Sequence, residues 1–293
     1  CRMFCLVKGK RLRMKNIIHL ALKTGFTFKN VYGHLDETLK YGIEEKAIGI
    51  ADVGNTFSHP LIEKKCKALE IKPIYSVRLT VVENASDKVK PRGQFGYEYI
   101  FIAKNYEGLK EIYQLVKKYY DNFYYRGNIS LKDVFNLSEN VFVIAENFED
   151  DQRIDFISLT TTTPKMFRLF DGIPKIAIIN NYYPKPLDHD VYELFTSPRN
   201  NCNQTYPQHI LSTKEWIQIH KANPEWKDAI KNTHEVSSAC SVQLKKAPMI
   251  KYKGKETVRF LCKVGAKKKG INLEDEIYKE RYQRELELIE GRD

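Results

Sequence analysis

The sequence predicts an α/β protein built from repeated strand–helix units, and three observations carry that expectation. Residues 46–82 read as strand, loop, helix, strand. Residues 97–120 read as a strand followed by an amphipathic helix. Three further short apolar runs follow at Val141–Ala145, Ile154–Leu159 and Ile176–Ile179, each of strand length.

The first unit is the most explicit. The apolar run Ala47–Ala51 stops at Asp52-Val53-Gly54-Asn55. Apolar residues then recur at Leu61, Ile62, Cys66 and Leu69, which is helical spacing, with Ser58 or His59 as the cap and Pro60 in the first turn. A β-rich run from Ile74 to Val82 closes a βαβ unit whose second strand should lie parallel to the first. In such sheets chemistry gathers at the carboxyl ends of strands, which is where Asp52 falls.

The remaining elements follow in order. Residues 1–15 are rich in lysine and arginine and read as a phosphate-binding arm, a solvated tail or the remnant of a preceding segment. The first residue is Cys1 rather than methionine, so the chain is expected to be processed, cut from a longer one or numbered from a fragment. Residues 16–24 have the spacing of a short amphipathic helix ended by Gly25. Residues 83–96 are polar with Pro and Gly, hence a loop. The helix from Tyr106 to Tyr120 should bury Leu109, Ile112, Tyr113, Val116 and Tyr120. Rings near basic residues can stack on single strands, but for Phe123-Tyr124-Tyr125 core or loop packing is the expectation. Thr163-Pro164 is a helix start. Amphipathic segments near 214–221 and 226–240, a helix through Val258, Leu261 and Cys262, and residues 276–290 complete the helical set.

Composition narrows the class. The chain has 293 residues, 42% hydrophobic and 29% charged, which suits a globular protein. No apolar run approaches the roughly 20 residues that span a bilayer, so no membrane role is expected. The six cysteines are scattered without a C-x-x-C pair, so neither a zinc knuckle nor a disulfide framework is indicated, and a reducing cytoplasm is the simplest home. The net charge of +11 favours polyanionic partners such as nucleic acid, although a lysine-rich solvated surface has the same composition.

Several segments carry a resemblance. Ala51-Asp52-Val53-Gly54-Asn55, with Ile71-Lys72-Pro73-Ile74 after the helix, resembles the T-D-H-G-N … I-K-P-I segment of the PHP (polymerase and histidinol phosphatase) domain, as found in the bacterial replicative DNA polymerase family, the DNA polymerase III alpha subunits. Residues 28–42, FKNVYGHLDETLKYG, are similar to that domain's first segment, which carries an H-x-H pair. YIFIAKNYEGLKEIYQLV (residues 99–116) is similar to its L-A-K-N-x-x-G helix start, and Ile178–Tyr183 to its last strand end, T-N-D-x-H-Y. His189-Asp190 matches the start of a structural helix there.

The resemblance implies a distorted seven-stranded (β/α) barrel followed by helices leading towards a polymerase palm. The expected divisions are a basic N-terminal extension at 1–27, the barrel at 28–250 and the start of a palm at 251–293. Of the metal-ligand positions, His34 and Asp52 are kept, and Tyr32, Val53, Arg78, Asn181 and Tyr183 are altered. A multinuclear centre needs nearly all its donors. A guanidinium at position 78 would repel dications, and its expected partner is Asp52. Glu98 and Glu146 are candidates to rebuild a partial site.

The expectation is therefore a structural, partner-docking module without catalytic residues or cofactor of its own. By resemblance, Mg would serve the parent polymerase. The partners implied are the palm and thumb, a proofreading exonuclease, and DNA through the parent enzyme, in a bacterial or phage-infected cytoplasm. The alternative is an active phosphoesterase or 3′–5′ exonuclease using Mn, Zn or Fe.

Overall fold

The computed structural model describes residues 4–7, 10–13, 15–85, 96–121, 123–124, 126–146, 153–163, 172–196, 207–245 and 253–291. The chain forms two compact units, Cys1–Leu244 and Lys245–Asp293. In the first, β1 (Phe4–Val7) and β2 (Lys10–Arg13) form an antiparallel hairpin. The remaining strands are β3 (Ala47–Ile50), β4 (Lys72–Val82), β5 (Tyr97–Ala103), β6 (Ile129–Ser130), β7 (Val141–Ala145), β8 (Phe156–Leu159) and β9 (Lys175–Ala177). The helices are α1 (Leu35–Leu39), α2 (His59–Ala68), α3 (Tyr106–Asp121), α4 (Leu131–Phe135), α5 (His189–Thr196), α6 (Thr213–His220) and α7 (Trp226–Ala239). The second unit holds α8 (Val258–Lys268) and α9 (Glu276–Glu290), with Thr257 capping α8 and Arg259 paired to Glu290 at 2.8 Å.

The sheet is mixed and strongly curled, with strand order β3-β4-β5-β7-β8-β9 and β6 attached to β4. As the sequence predicts, β3 and β4 are parallel and joined by α2. The strand β5 runs against both β4 and β7, and β7, β8 and β9 are again parallel. Successive side chains alternate faces. Tyr75, Val77, Leu79 and Val81 of β4 join Tyr99, Phe101, Val141, Val143 and Ala145 in a core beneath α3. Their neighbours Ile74, Ile100, Ile102 and Ile144 line the opposite, inner face with Ile176 and Val236.

Residues 16–24 depart from the sequence reading. They are not a helix but an extended strip beside β3, with the Gly49 amide donating to His19 O, the Leu22 amide to Gly49 O and the Ala51 amide to Leu22 O. The reason is burial: residues 17–24 are enclosed on all sides, His19, Lys23 and Thr24 included, so the polar positions that suggested the outer face of a helix do not mark solvent. The approach is close enough that a Cβ on Gly49 would lie 2.0 Å from Leu20 O, so only glycine fits. On its other side the strip meets Asn181, whose side chain accepts from the Lys23 amide and donates to Lys23 O, both at 2.9 Å. The helix α7 lies across strip and sheet, Thr233 accepting from the Ile18 amide and Asn232 donating to Lys175 O of β9.

The buried face of α3 is also rotated from expectation. Leu109, Ile112, Leu115 and Tyr119 are buried, whereas Tyr113 and Tyr120 are exposed. Phe123 and Tyr124, expected to be packed, are exposed as well. The helix expected from Thr163-Pro164 and residue Tyr125 lie outside the described residues. Several short elements were not anticipated: the β1–β2 hairpin, β6, α1 and α4. The last is fixed by a reciprocal cap between Ser130 and Asp133, an S-x-x-D pattern present in the sequence.

Candidate functional site

Period-2 alternation places the polar residues of this site. Along the inner face of β4 the order is Ile74, Ser76, Arg78. Along antiparallel β5 it is Ile102, Ile100, Glu98, and Phe142 and Ile144 of β7 lead on to Glu146. The register pairs Arg78 with Ile100 and Thr80 with Glu98, so the isoleucines form a floor and Arg78, Glu98 and Glu146 stand beyond it at one end. That is the end at which β3 delivers Asp52.

Asp52 is buried and its carboxylate is saturated by neutral donors. The Thr24 amide donates to Oδ1 at 2.8 Å, the Thr24 hydroxyl reaches both oxygens at 2.9 and 3.0 Å, Thr27 donates at 3.0 Å and Ser58 at 2.7 Å. Ser58 thus occupies the N-cap position of α2 but spends its hydroxyl on Asp52 rather than on the helix. The turn after Asp52 needs Gly54 at φ 74, and the Gly54 amide donates to Arg78 O.

Arg78 does not pair with Asp52, contrary to the sequence expectation. The backbones of 52–53 and 78 are bridged, but the guanidinium follows the inner face of β4. Its Nη1 donates to Glu98 at 3.0 Å and its Nη2 to Ala21 O at 2.9 Å, while its buried Nε has no partner. Glu98 is the diagonal neighbour across the antiparallel pair, which is the reach expected of a long side chain.

Lys23, at the end of the strip, is the site residue that sequence reasoning missed. Its ammonium is buried and lies 3.6 Å from the centre of the Tyr182 ring. Its pKa is lowered to about 7, chiefly by burial and then by the Arg78 guanidinium, with Glu98, Glu146 and Asp52 acting in the opposite sense. Read as part of a short amphipathic helix, Lys23 gave no signal. Near the end of an enclosed strip it is a second cation facing the same acids.

The other sequence-singled positions are dispersed. His34 is exposed ahead of α1 and makes no cap bond. Tyr32 is half-buried and is held by its backbone amide on Tyr182 O. Val53 is half-buried, its amide donating to Thr27. Asn181 serves the strip, as described. Tyr183 is buried, its hydroxyl 3.1 Å from His189 Nδ1 on α5. Glu146 accepts from the hydroxyls of Thr160, at 2.6 Å, and Thr162. The structure therefore gathers Asp52, Arg78, Glu98 and Glu146 near Lys23, and leaves His34 and the Tyr183 hydroxyl elsewhere.

Among the described residues no group of three or more His, Cys, Asp or Glu side chains is placed to hold a metal ion. The donor chemistry agrees: valine, asparagine engaged with backbone, a tyrosine engaged with histidine and a guanidinium do not fit a cluster of dications. The family model for the PHP domain matches residues 19–183, more than half of the chain. The chain belongs to the PHP domain family. The match begins at His19, so the strip that carries Lys23 lies within the PHP domain.

The relatives are polymerase subunits. The chain is 23% identical over 243 residues to the DNA polymerase III subunit alpha of Staphylococcus aureus (strain Mu50 / ATCC 700699), covering 78% of this chain and 21% of that protein. It is 29% identical over 146 residues to the DNA polymerase III subunit alpha of Aquifex aeolicus (strain VF5), covering 44% of this chain and 12% of that one. The matched region spans about a fifth of the S. aureus relative's length. No helix among the described residues is long and apolar enough to cross a membrane.

Proposed function

We propose that this chain is a PHP-type module of a replicative-type DNA polymerase that acts as a structural and docking element and does not hydrolyse phosphoesters. The observation that carries the reading is the pair of cations, Lys23 and Arg78, set among Asp52, Glu98 and Glu146. Side-chain charges then balance the acids where bound dications would otherwise be required. Asp52 and His34 are kept as a buried hydrogen-bond acceptor and an exposed helix-start residue, with no catalytic role.

On this reading α8 and α9 lead towards a palm, and the barrel buttresses palm and thumb in a bacterial or phage-infected cytoplasm. A proofreading exonuclease is the separate partner. Nucleotidyl transfer, with its Mg, belongs to the palm, so the isolated chain should not incorporate nucleotides.

The test is metal analysis of the gently purified chain together with hydrolysis of single-stranded DNA in the presence of Mn, Zn or Fe. Substoichiometric metal and no hydrolysis are expected. Stoichiometric metal that disappears in Asp52→Ala and His34→Ala, with matching loss of nuclease activity, would establish the phosphoesterase or exonuclease instead.

A further inference from the structure

The knot around Asp52 does more than fill a buried site. Thr27 and Ser58, which donate to the carboxylate, are followed and preceded in sequence by Phe28 and Phe57. These two rings are exposed, at 59% and 61%, with centroids 6.1 Å apart, and Phe26 lies against Phe28 at 6.4 Å. Asn55 ties the two loops together: its Nδ2 donates to Phe26 O at 2.9 Å and its Oδ1 accepts from the Phe57 amide at 3.2 Å. Exposed phenylalanines held this firmly are pre-organised for a flat ligand rather than collapsed onto the core.

A second ring pair adjoins them. The backbone at Gly54, three residues before Phe57, rests on the Tyr119 ring, where a Cβ would lie 3.0 Å away. Tyr120, next to Tyr119, stacks on Phe123 with centroids 6.3 Å apart and planes at 17°, and both rings are exposed. The two pairs are thus within on the order of 20 Å of one another, a span of a few nucleotides.

The charge of the segments around them is positive on balance, although Lys65, Lys117 and Lys118 are paired with Asp36, Asp121 and Asp133. Lys29 beside Phe28 is exposed, and the segments that carry the rings, 23–30, 57–69 and 117–126, each contain more lysine and arginine than acid. The chain as a whole carries +11.

We propose that Phe28 and Phe57, extended by Tyr120 and Phe123, form a stacking platform for the bases of single-stranded nucleic acid, with the flanking lysines and arginine following its phosphates. Every base has a π-face, so such a platform is tolerant of sequence but demands unpaired bases. This goes beyond the polymerase-module reading and stands or falls separately from it, because it concerns binding by this chain alone.

The experiment measures fluorescence anisotropy of a labelled oligothymidylate of about 16 nucleotides with the full chain, alongside a duplex of equal length. Single strands should bind more tightly than duplex. F28A/F57A should weaken binding at least about tenfold with an unchanged salt slope, while F28W/F57W keeps wild-type affinity. Y120A/F123A should give a smaller loss. Thermal midpoints should be unchanged, since all four rings are exposed. Equal affinity of F28A/F57A and wild type, or preference for duplex, overturns the proposal. So does self-association of the wild-type chain that the same substitutions abolish in the absence of oligonucleotide affinity, since the rings would then be a protein interface.

Discussion

Asp52 and Arg78 are bridged through their backbones, yet the protein treats the two buried charges in opposite ways. The carboxylate side is closed. Four neutral donor groups from Thr24, Thr27 and Ser58 satisfy Asp52 by hydrogen bonds, with no cation in direct contact with it among the described residues. The cationic side is open-ended. Arg78 has one half-exposed carboxylate, one carbonyl and an unsatisfied Nε, and Lys23 has an aromatic face and a lowered pKa. Hydrogen bonds to an ion inside a protein are strong when complete, and a buried charge left partly unmatched costs several kcal/mol. The acidic side should therefore hold the fold together, and the basic side should weaken it.

The largest effect belongs to Asp52→Ala, which strands four donors in the interior. A loss of about 3–5 kcal/mol in urea-induced unfolding is expected. A loss under about 1 kcal/mol would mean that the knot is no stronger than an exposed ion pair, and the contrast between the two sides would fail.

Next is Lys23→Met, which keeps the stem and removes the ammonium. The unfolded lysine titrates near 10.5 and the folded one near 7. Between those values the unfolded chain binds more protons, so wild-type stability rises with pH across that window. The penalty is fully present below about pH 7. Lys23→Met should therefore be more stable than wild type by a few kcal/mol at neutral pH and below, with the difference fading towards pH 10.5. If Lys23→Met is destabilising at pH 6, the ammonium has a strong partner and the basic side is not a burden.

His59, the first residue of α2 and next to Ser58, gives the third effect. Burial pushes its pKa down to about 4, a hydrogen bond with Ser76 O partly opposing. The unfolded ring takes up its proton near 6.5, the folded one near 4, so stability is held above 6.5 and lost as pH falls between them. His59 should contribute about 1.4 kcal/mol per pH unit, seen as a falling urea midpoint; His19, which burial also pushes down to about 4, acts over the same window, so His59→Gln should remove about half of the combined slope. An unaltered slope in that variant would assign acid sensitivity to other groups.

The residues that decide this contrast differ in how far the sequence shows them. Strands whose two faces are both buried read as apolar runs, and β7 is found at its observed limits; α9 likewise. Asp52 at a strand end was visible because the apolar run stops there. Its donors were not, since Thr24 ends the strip, Thr27 lies on the loop after it, and the strip itself reads equally well as a helix. Arg78 and Glu98 sit on one face by alternation, but their register is set across a loop at 83–96 whose length leaves several registers open. The exposed rings of Phe28 and Phe57 are apolar residues in an aromatic-rich chain, and only the packing shows that they are left outside.

The smallest effect tests whether the Asp52 knot is shared evenly. Ser58→Ala removes one of the four donors and leaves Oδ2 with the Thr24 hydroxyl at 3.0 Å. A shared acceptor should lose only about 1 kcal/mol, the net worth of one hydrogen bond. That is well short of the loss for Asp52→Ala, because the carboxylate keeps a partner on each oxygen. The cap of α2 should not add to it, since the serine hydroxyl makes no bond to the helix. If Ser58→Ala costs as much as Asp52→Ala, the knot depends on its shortest bond. The positioning of Phe57, the residue before Ser58, should then loosen with it, and single-strand affinity should fall in Ser58→Ala although no ring has been touched.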